Sequence, residues 1–269
     1  MGRASRAKQA KIYTEKCFNI FRNEKGWKIF ISAAIITIII STVTSSEMFN
    51  DYKDTRNGAF ALVCACIWIG IFNSIQSICK ERDIIKREHR SGLHISSYIT
   101  AHMIFEFVLC FIESIIITLI VCVKNFDNLP DGGVFLPSGI ELFISFLLIV
   151  YSSDALGMMV SSIVKTTNTA MTVMPFVLII QLVMSGMIFE LSGFTEIISK
   201  LTVAKWGLNA ICTTADINSM FSVLATGDPA DYEHSIEHLG QMWLILIAFT
   251  LIYGIISIIS LEFVDKDKR

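Results

Sequence analysis

Four ionisable side chains, His102, Glu106, Glu113 and Asp154, stand inside long apolar runs. A charge at bilayer depth costs several kcal/mol unless it is paired or faces water, so each is a candidate for function. His102 to Glu106 is a step of four and Glu106 to Glu113 a step of seven, which puts all three on one stripe of a helix. That stripe must face protein or water, and two chemistries fit it. It could relay protons, or it could form a structural polar seam with Asn73 and Gln76 of the preceding run. The closeness of Glu106 to the basic segment at the start of its run favours the seam. Asp154 lies in Ser152-Ser153-Asp154-Ala155-Leu156-Gly157, whose small residues permit close helix approach, so its expected role is an interhelical hydrogen bond.

Other chemistry is poorly supplied. No glycine is followed by lysine, so there is no phosphate-cradling loop, and neither Gly-x-Ser-x-Gly nor His-Glu-x-x-His occurs. Cys64 and Cys66 are two apart and point away from each other on a helix, as packing residues rather than metal ligands. His102 is the one histidine well inside an apolar run. The chain is expected to be no enzyme and to hold no metal or cofactor.

The elements that carry these residues follow from composition. Of 269 residues 53% are hydrophobic and 17% charged, which moves the expected class to membrane proteins. Crossing about 30 Å of hydrocarbon takes roughly 20 apolar residues in a helix. Six runs qualify, at about 27–48, 59–79, 98–123, 138–163, 170–189 and 240–261. The expected fold is an all-α membrane protein of six transmembrane helices. Residues 1–26 form a polar, basic tail, and the first apolar run after it continues too far to be the apolar part of a cleaved leader. A net charge of −2 gives no reason to expect a nucleic-acid partner.

With six spans and the N-terminus inside, 17 of the 22 lysines and arginines fall on the cytoplasmic side. The remaining five are Lys53, Arg56, Lys124, Lys200 and Lys205. This bias orients the chain with both termini cytoplasmic. The seven cysteines, mostly within or beside apolar runs, imply no disulfide framework.

Three segments outside the spans stand out. In Ala10 to Arg22 the apolar residues Tyr13, Cys17, Ile20 and Phe21 share a face, as in an amphipathic helix lying on the inner leaflet. Lys80 to Arg90 is a dense mixed-charge run with Ile84 and Ile85 exposed among the charges; it is either a solvated hairpin or a docking surface for another protein. Glu190 to His238 is a long connection whose Phe194, Ile197, Ile198, Leu201, Val203, Trp206 and Leu208 suggest helices packed against the outer membrane face. Its second half, around Asp228 to Glu237, is acidic.

Several of these features resemble the ABC-2 type permeases, in particular the transmembrane half of the G subfamily of ABC transporters. The stretch Glu81-Arg82 through Arg87-Glu88, Ser91-Gly92, Ser96-Ser97-Tyr98 and on to Glu106 is similar to that family's pattern in this region. So are Ser185-Gly186-Met187-Ile188 and Trp206-Gly207-Leu208-Asn209-Ala210. The resemblance implies an N-terminal connecting helix, re-entrant helices in the last outer loop, and two permease subunits about a two-fold axis. It also implies an ABC ATPase carrying the ATP and Mg; members of the subfamily usually hold it on the same chain, ahead of this domain, whereas here a short basic tail stands in that place and the ATPase is expected as a separate subunit. Arg82, Ile84, Ile85, Arg87, Glu88 and Arg90 would belong to a cytoplasmic coupling helix docked on that ATPase. Gln76, His102, Glu106 and Glu113 would form a polar relay with Arg82 or Arg87. Cys66, Ile69 and Asn73 would face Pro175, Leu178 and Leu182 across a substrate cavity, plugged on the outside by Met187 and Ile188.

The expected function is therefore the permease subunit of an ATP-driven exporter of a hydrophobic or amphipathic substrate in the cell membrane of a bacterium. The alternative is a proton-coupled transporter or channel using His102, Glu106 and Glu113. A membrane scaffold that moves nothing is a third reading.

Overall fold

A computed structural model describes residues 5–130, 132–189, 191–220 and 229–263. The basic residues beyond 263 and at 3, Glu190, and the start of the acidic stretch at 228 lie outside the described residues. In chain order the helices are α1 (Arg6–Asn23), α2 (Lys28–Val43), α3 (Tyr52–Ser74), α4 (Ser77–Lys80), α5 (Arg82–Arg90) and α6 (Ile95–Lys124). They are followed by α7 (Ser138–Ile163), α8 (Thr167–Val183), α9 (Phe194–Ser199), α10 (Val203–Thr214) and α11 (Ile236–Glu262). Two 3-10 turns, Ile217–Ser219 and Pro229–Tyr232, lie between α10 and α11, and there is no strand among the described residues.

Four helical stretches are long and apolar enough to cross a membrane: Tyr52–Lys80, which is α3 continued by α4, then α6, α7 and α11. The other two expected spans are shorter. α2 has 16 residues and α8 has 17, which at 1.5 Å per residue is about 25 Å, short of a typical hydrocarbon core. α1 and α2 together would pass the same test but are bent by 72°. The corner is built by Lys25, at φ 55, and by Gly26, where a Cβ would collide with the ring of Phe21.

The run expected to end at residue 48 stops as a helix at Val43, and the apolar Met48 and Phe49 fold back to be buried instead. The fifth run breaks at Val183, before Gly186 reverses the chain at φ 79. The second run, conversely, begins seven residues before its expected start. The Asp51 carboxylate accepts from the amides of Lys53 and Asp54, an N-cap that carries the helix through the charged Lys53, Asp54 and Arg56.

The closest packing is between α3 and α7. A Cβ at Gly70 would strike the Val150 carbonyl, and one at Gly157 would strike the Ser74 hydroxyl and the Ile71 carbonyl. With both side chains absent, the Ser74 hydroxyl donates to the Asp154 carbonyl at 2.6 Å. At the break between α3 and α4, the Ser161 hydroxyl accepts from the amides of Ile78 and Cys79 at 3.1 Å each, replacing helical bonds lost there. All seven cysteines are free, as expected. α10 is an inserted helix rather than a surface loop: ten of its twelve residues are buried, and it packs on α3, α7 and α11.

Candidate functional site

The polar groups collect at the two ends of the bundle and in one seam between them. At one end, α1 lies along the start of α6. Tyr13 donates to Glu88 Oε2 at 2.6 Å, and Lys16 and Tyr98 both reach Glu81 Oε2, at 3.5 and 3.1 Å. The Gln9 side chain accepts from the His94 amide and donates to the Gly92 carbonyl. Cys17, Phe105 and Leu109 close an apolar patch beneath, joined by Phe21 and Phe30. This is the face of 13, 17, 20 and 21 expected from the sequence, packed on protein. Burial first, and then the carboxylates of Glu81 and Glu106, push the Cys17 thiol up to about 12, so its 3.8 Å contact with His102 Nε2 is that of a neutral thiol.

α5 forms a nine-residue helix at the same end. Arg82 Nη1 donates to the carbonyls of Ser162 and Val164, at 2.7 and 3.1 Å, capping the C-terminus of α7, where unsatisfied carbonyls favour a cation. The two isoleucines part company. Ile84 is 36% exposed among the charges, but Ile85 is wholly buried in a core with Ile78, Leu93, Ile95, Tyr98, Ile99, Met158 and Leu261. The expectation that both offer docking surface is corrected for Ile85. On so short a helix, adjacent positions are about 100° apart, and one of them must face the bundle.

In the seam, His102, Glu106 and Glu113 are all buried on one side of α6, as their spacing requires. Asn73 Nδ2 donates to both oxygens of Glu113, at 3.0 and 2.9 Å. Asp154 joins from α7 within electrostatic reach of Glu106 and Glu113. Glu106 Oε2, His102 Nδ1 and both Asp154 carboxylate oxygens have no hydrogen-bond partner. That Glu106 oxygen is thus not met by a basic residue of the hairpin, and the expected closure of the relay is not formed at this atom. Gln76 lies at the α3–α4 break, half-buried. No group of side chains suited to a metal ion occurs among the described residues.

The six residues expected around a cavity divide. Cys66, Ile69 and Leu178 are buried within the chain's own core, and Asn73 and Leu182 are half-buried. Pro175 is exposed on α8 beside Phe176, Ile179 and Ile180. In this conformation Cys66 and Ile69 therefore offer no surface to a cargo.

At the opposite end of the bundle a cavity of about 740 Å³ opens between the start of α3, the turn after α8, and α9 and α10. Met187 and Ile188, the expected plug, lie in its wall with Phe189. So does Arg56, which is 8% exposed and whose Nη2 donates to the Gly186 carbonyl at 3.4 Å. Lys205 and Asn209, one turn apart on α10, and Lys200 also line it. Sequence reading assigned Arg56, Lys200 and Lys205 only to a side of the membrane and gave Asn209 no role. The available signals were the helix cap at Asp51, which draws Arg56 into α3, and the i, i+4 spacing of Lys205 and Asn209.

The described residues form a helical bundle, four of whose helical stretches are long and apolar enough to cross a membrane, and that is the construction of a membrane protein. The model of the ABC-2 type transporter family matches residues 8–215, most of the chain, and the chain belongs to that family. It is also similar to the ABC transporter ATP-binding/permease protein Rv1747 of Mycobacterium tuberculosis, at 26% identity over 189 residues. That alignment covers 70% of this chain but only 22% of the relative, so the chain spans about a fifth of that protein's length.

Proposed function

We propose that the chain is the permease subunit of an ATP-driven exporter, that it crosses the cell membrane six times, with α2 and α8 as short spans, and that two such subunits form the pore. An ABC ATPase outside these 269 residues supplies the energy. The observation that carries this reading is the seating of α5. Arg82 holds the end of α7, Ile85 is set in the core shared with α6 and α11, and Glu88 is held by α1. A displacement of α5 by a nucleotide-driven partner would thus move α1, α6 and α7 together, while Ile84, Arg87 and Arg90 remain outside to make the contact. ATP binding would draw the two coupling helices together and hydrolysis would release them. A hydrophobic or amphipathic cargo fits α8, which has no charge from Thr167 to Val183 and exposes Pro175, Phe176, Ile179 and Ile180. By the positive-inside rule α5 lies in the cytoplasm.

The test is purification of the tagged chain in mild detergent, identification of the ATPase that accompanies it, and reconstitution of both. Transport should require ATP, stop with vanadate, and fall when Ile84→Asp weakens the ATPase contact. The unmet oxygens of Glu106 and Asp154 favour one other reading, a proton-coupled transporter using His102, Glu106 and Glu113. Transport that persists without any ATPase and stops with a proton ionophore would establish it and overturn the first.

A further inference from the structure

The cavity at the far end of the bundle from α5 carries chemistry that the permease reading alone does not use. Its walls are of two kinds. Met187, Ile188 and Phe189, in the turn after α8, form an apolar side, and Arg56, Lys205 and Asn209 form a polar side. Asn209 is the informative member. It is 97% buried, since only 3% of its surface is exposed, and its Nδ2 donor has no hydrogen-bond partner. A buried amide donor left unmet costs on the order of 1–3 kcal/mol, and this one belongs to a side chain in the cavity wall, where an acceptor entering with a small shift of the amide would satisfy it. Arg56 brings further donors at the same wall, its Nη2 held by the Gly186 carbonyl and its guanidinium beside the buried Tyr232, which also lines the cavity.

Among the described residues, the two acids that line the cavity each have a lysine partner. Glu196 accepts from Lys200 at 2.9 Å, and Asp231 lies 3.9 Å from Lys205. The Lys200 bond and charge hold the Glu196 carboxyl below its ordinary range. A guanidinium and an amide at one wall supply the donors that a carboxylate or phosphate oxygen pair accepts from. The adjoining apolar wall suits a chain attached to it.

We propose that this cavity binds the anionic head group, phosphate or carboxylate, of an amphiphile, with Arg56 and Asn209 as its donors and Met187 to Phe189 against its apolar part. The inference rests on the permease reading only for the role of the amphiphile as cargo; the binding itself needs no ATPase. Trp206 reports on the site, because its indole donates to the Lys200 carbonyl at 2.8 Å at the cavity edge.

The test is a titration of the full chain, in nanodiscs of phosphatidylcholine, followed by tryptophan fluorescence. The probes are dioctanoyl phosphatidic acid, dioctanoylglycerol and inorganic phosphate. The phosphatidic acid should bind at least about tenfold more tightly than either other probe, and more weakly at high salt. Asn209→Leu and Arg56→Gln should each weaken it about fivefold or more, and Arg56→Lys should recover part of the loss with an unchanged melting temperature. Equal binding of the phosphatidic acid and the uncharged glyceride would overturn the anionic site. Equal binding of inorganic phosphate would overturn the amphiphile. Full affinity in a folded Asn209→Leu protein would remove Asn209 from it. Selective binding by a chain that transports nothing with its ATPase would leave this site standing and refute the exporter.

Discussion

α3 and α8 are both apolar helices, yet they stand in opposite relations to the rest of the chain. α3 is sunk into the bundle: fourteen of its residues are buried, and glycines at Gly70 and Gly157 let it touch α7 backbone to backbone. α8 buries only Ala170, Met174, Leu178 and Gln181, and turns Phe176, Ile179 and Ile180 outward at 64, 55 and 52% exposure. Hydrophobicity does not separate them, because in a bilayer lipid is as apolar as a leucine core. What separates them is side-chain size and hydrogen bonding, which decide helix association there. α3 is fixed by small residues and by Ser74 and Asn73; α8 keeps a broad, bulky face for lipid, a second subunit or cargo.

The strongest attack on this contrast is Gly157→Leu. No rotamer avoids the Ser74 hydroxyl and the Ile71 carbonyl, so the substitution should destabilise the bundle by about 3 kcal/mol and abolish a monodisperse detergent peak. A well-behaved Gly157→Leu protein would show that α3 and α7 are not locked together. Ser74→Ala is milder. It removes one buried bond to Asp154 and should cost about 1 kcal/mol, read as a lowered thermal midpoint. Ile179→Ala on α8 should leave that midpoint unchanged and reduce the co-purification of differently tagged copies. A fall in the midpoint without loss of pairing would place Ile179 in the monomer core instead.

Residue order alone carried the helical class, the positions of the apolar runs and the stripe of His102, Glu106 and Glu113. These depend on composition and on the 3.6-residue period, and both are local. It misjudged helix ends wherever a cap or a left-handed residue overrode hydropathy. Asp51 drew α3 seven residues into a charged segment, and the turn at Gly186 cut α8 short.

It also could not separate Ile84 from Ile85, or see that Cys66 and Ile69 are buried within the chain's own core. Asn73 was already a candidate beside the stripe, but its pairing with Glu113 over 40 positions was not legible.

The sequence by itself thus determined a membrane chain with ionisable groups inside its spans and basic residues gathered mainly in its N-terminal tail and at 80–90, since solvent preference acts on each residue separately. Only the tertiary structure decided which of those groups meet. Arg56, Lys205 and Asn209 come to one cavity through helix caps, glycine contacts and a chain reversal, and those couple residues over 150 positions apart in ways no local period encodes.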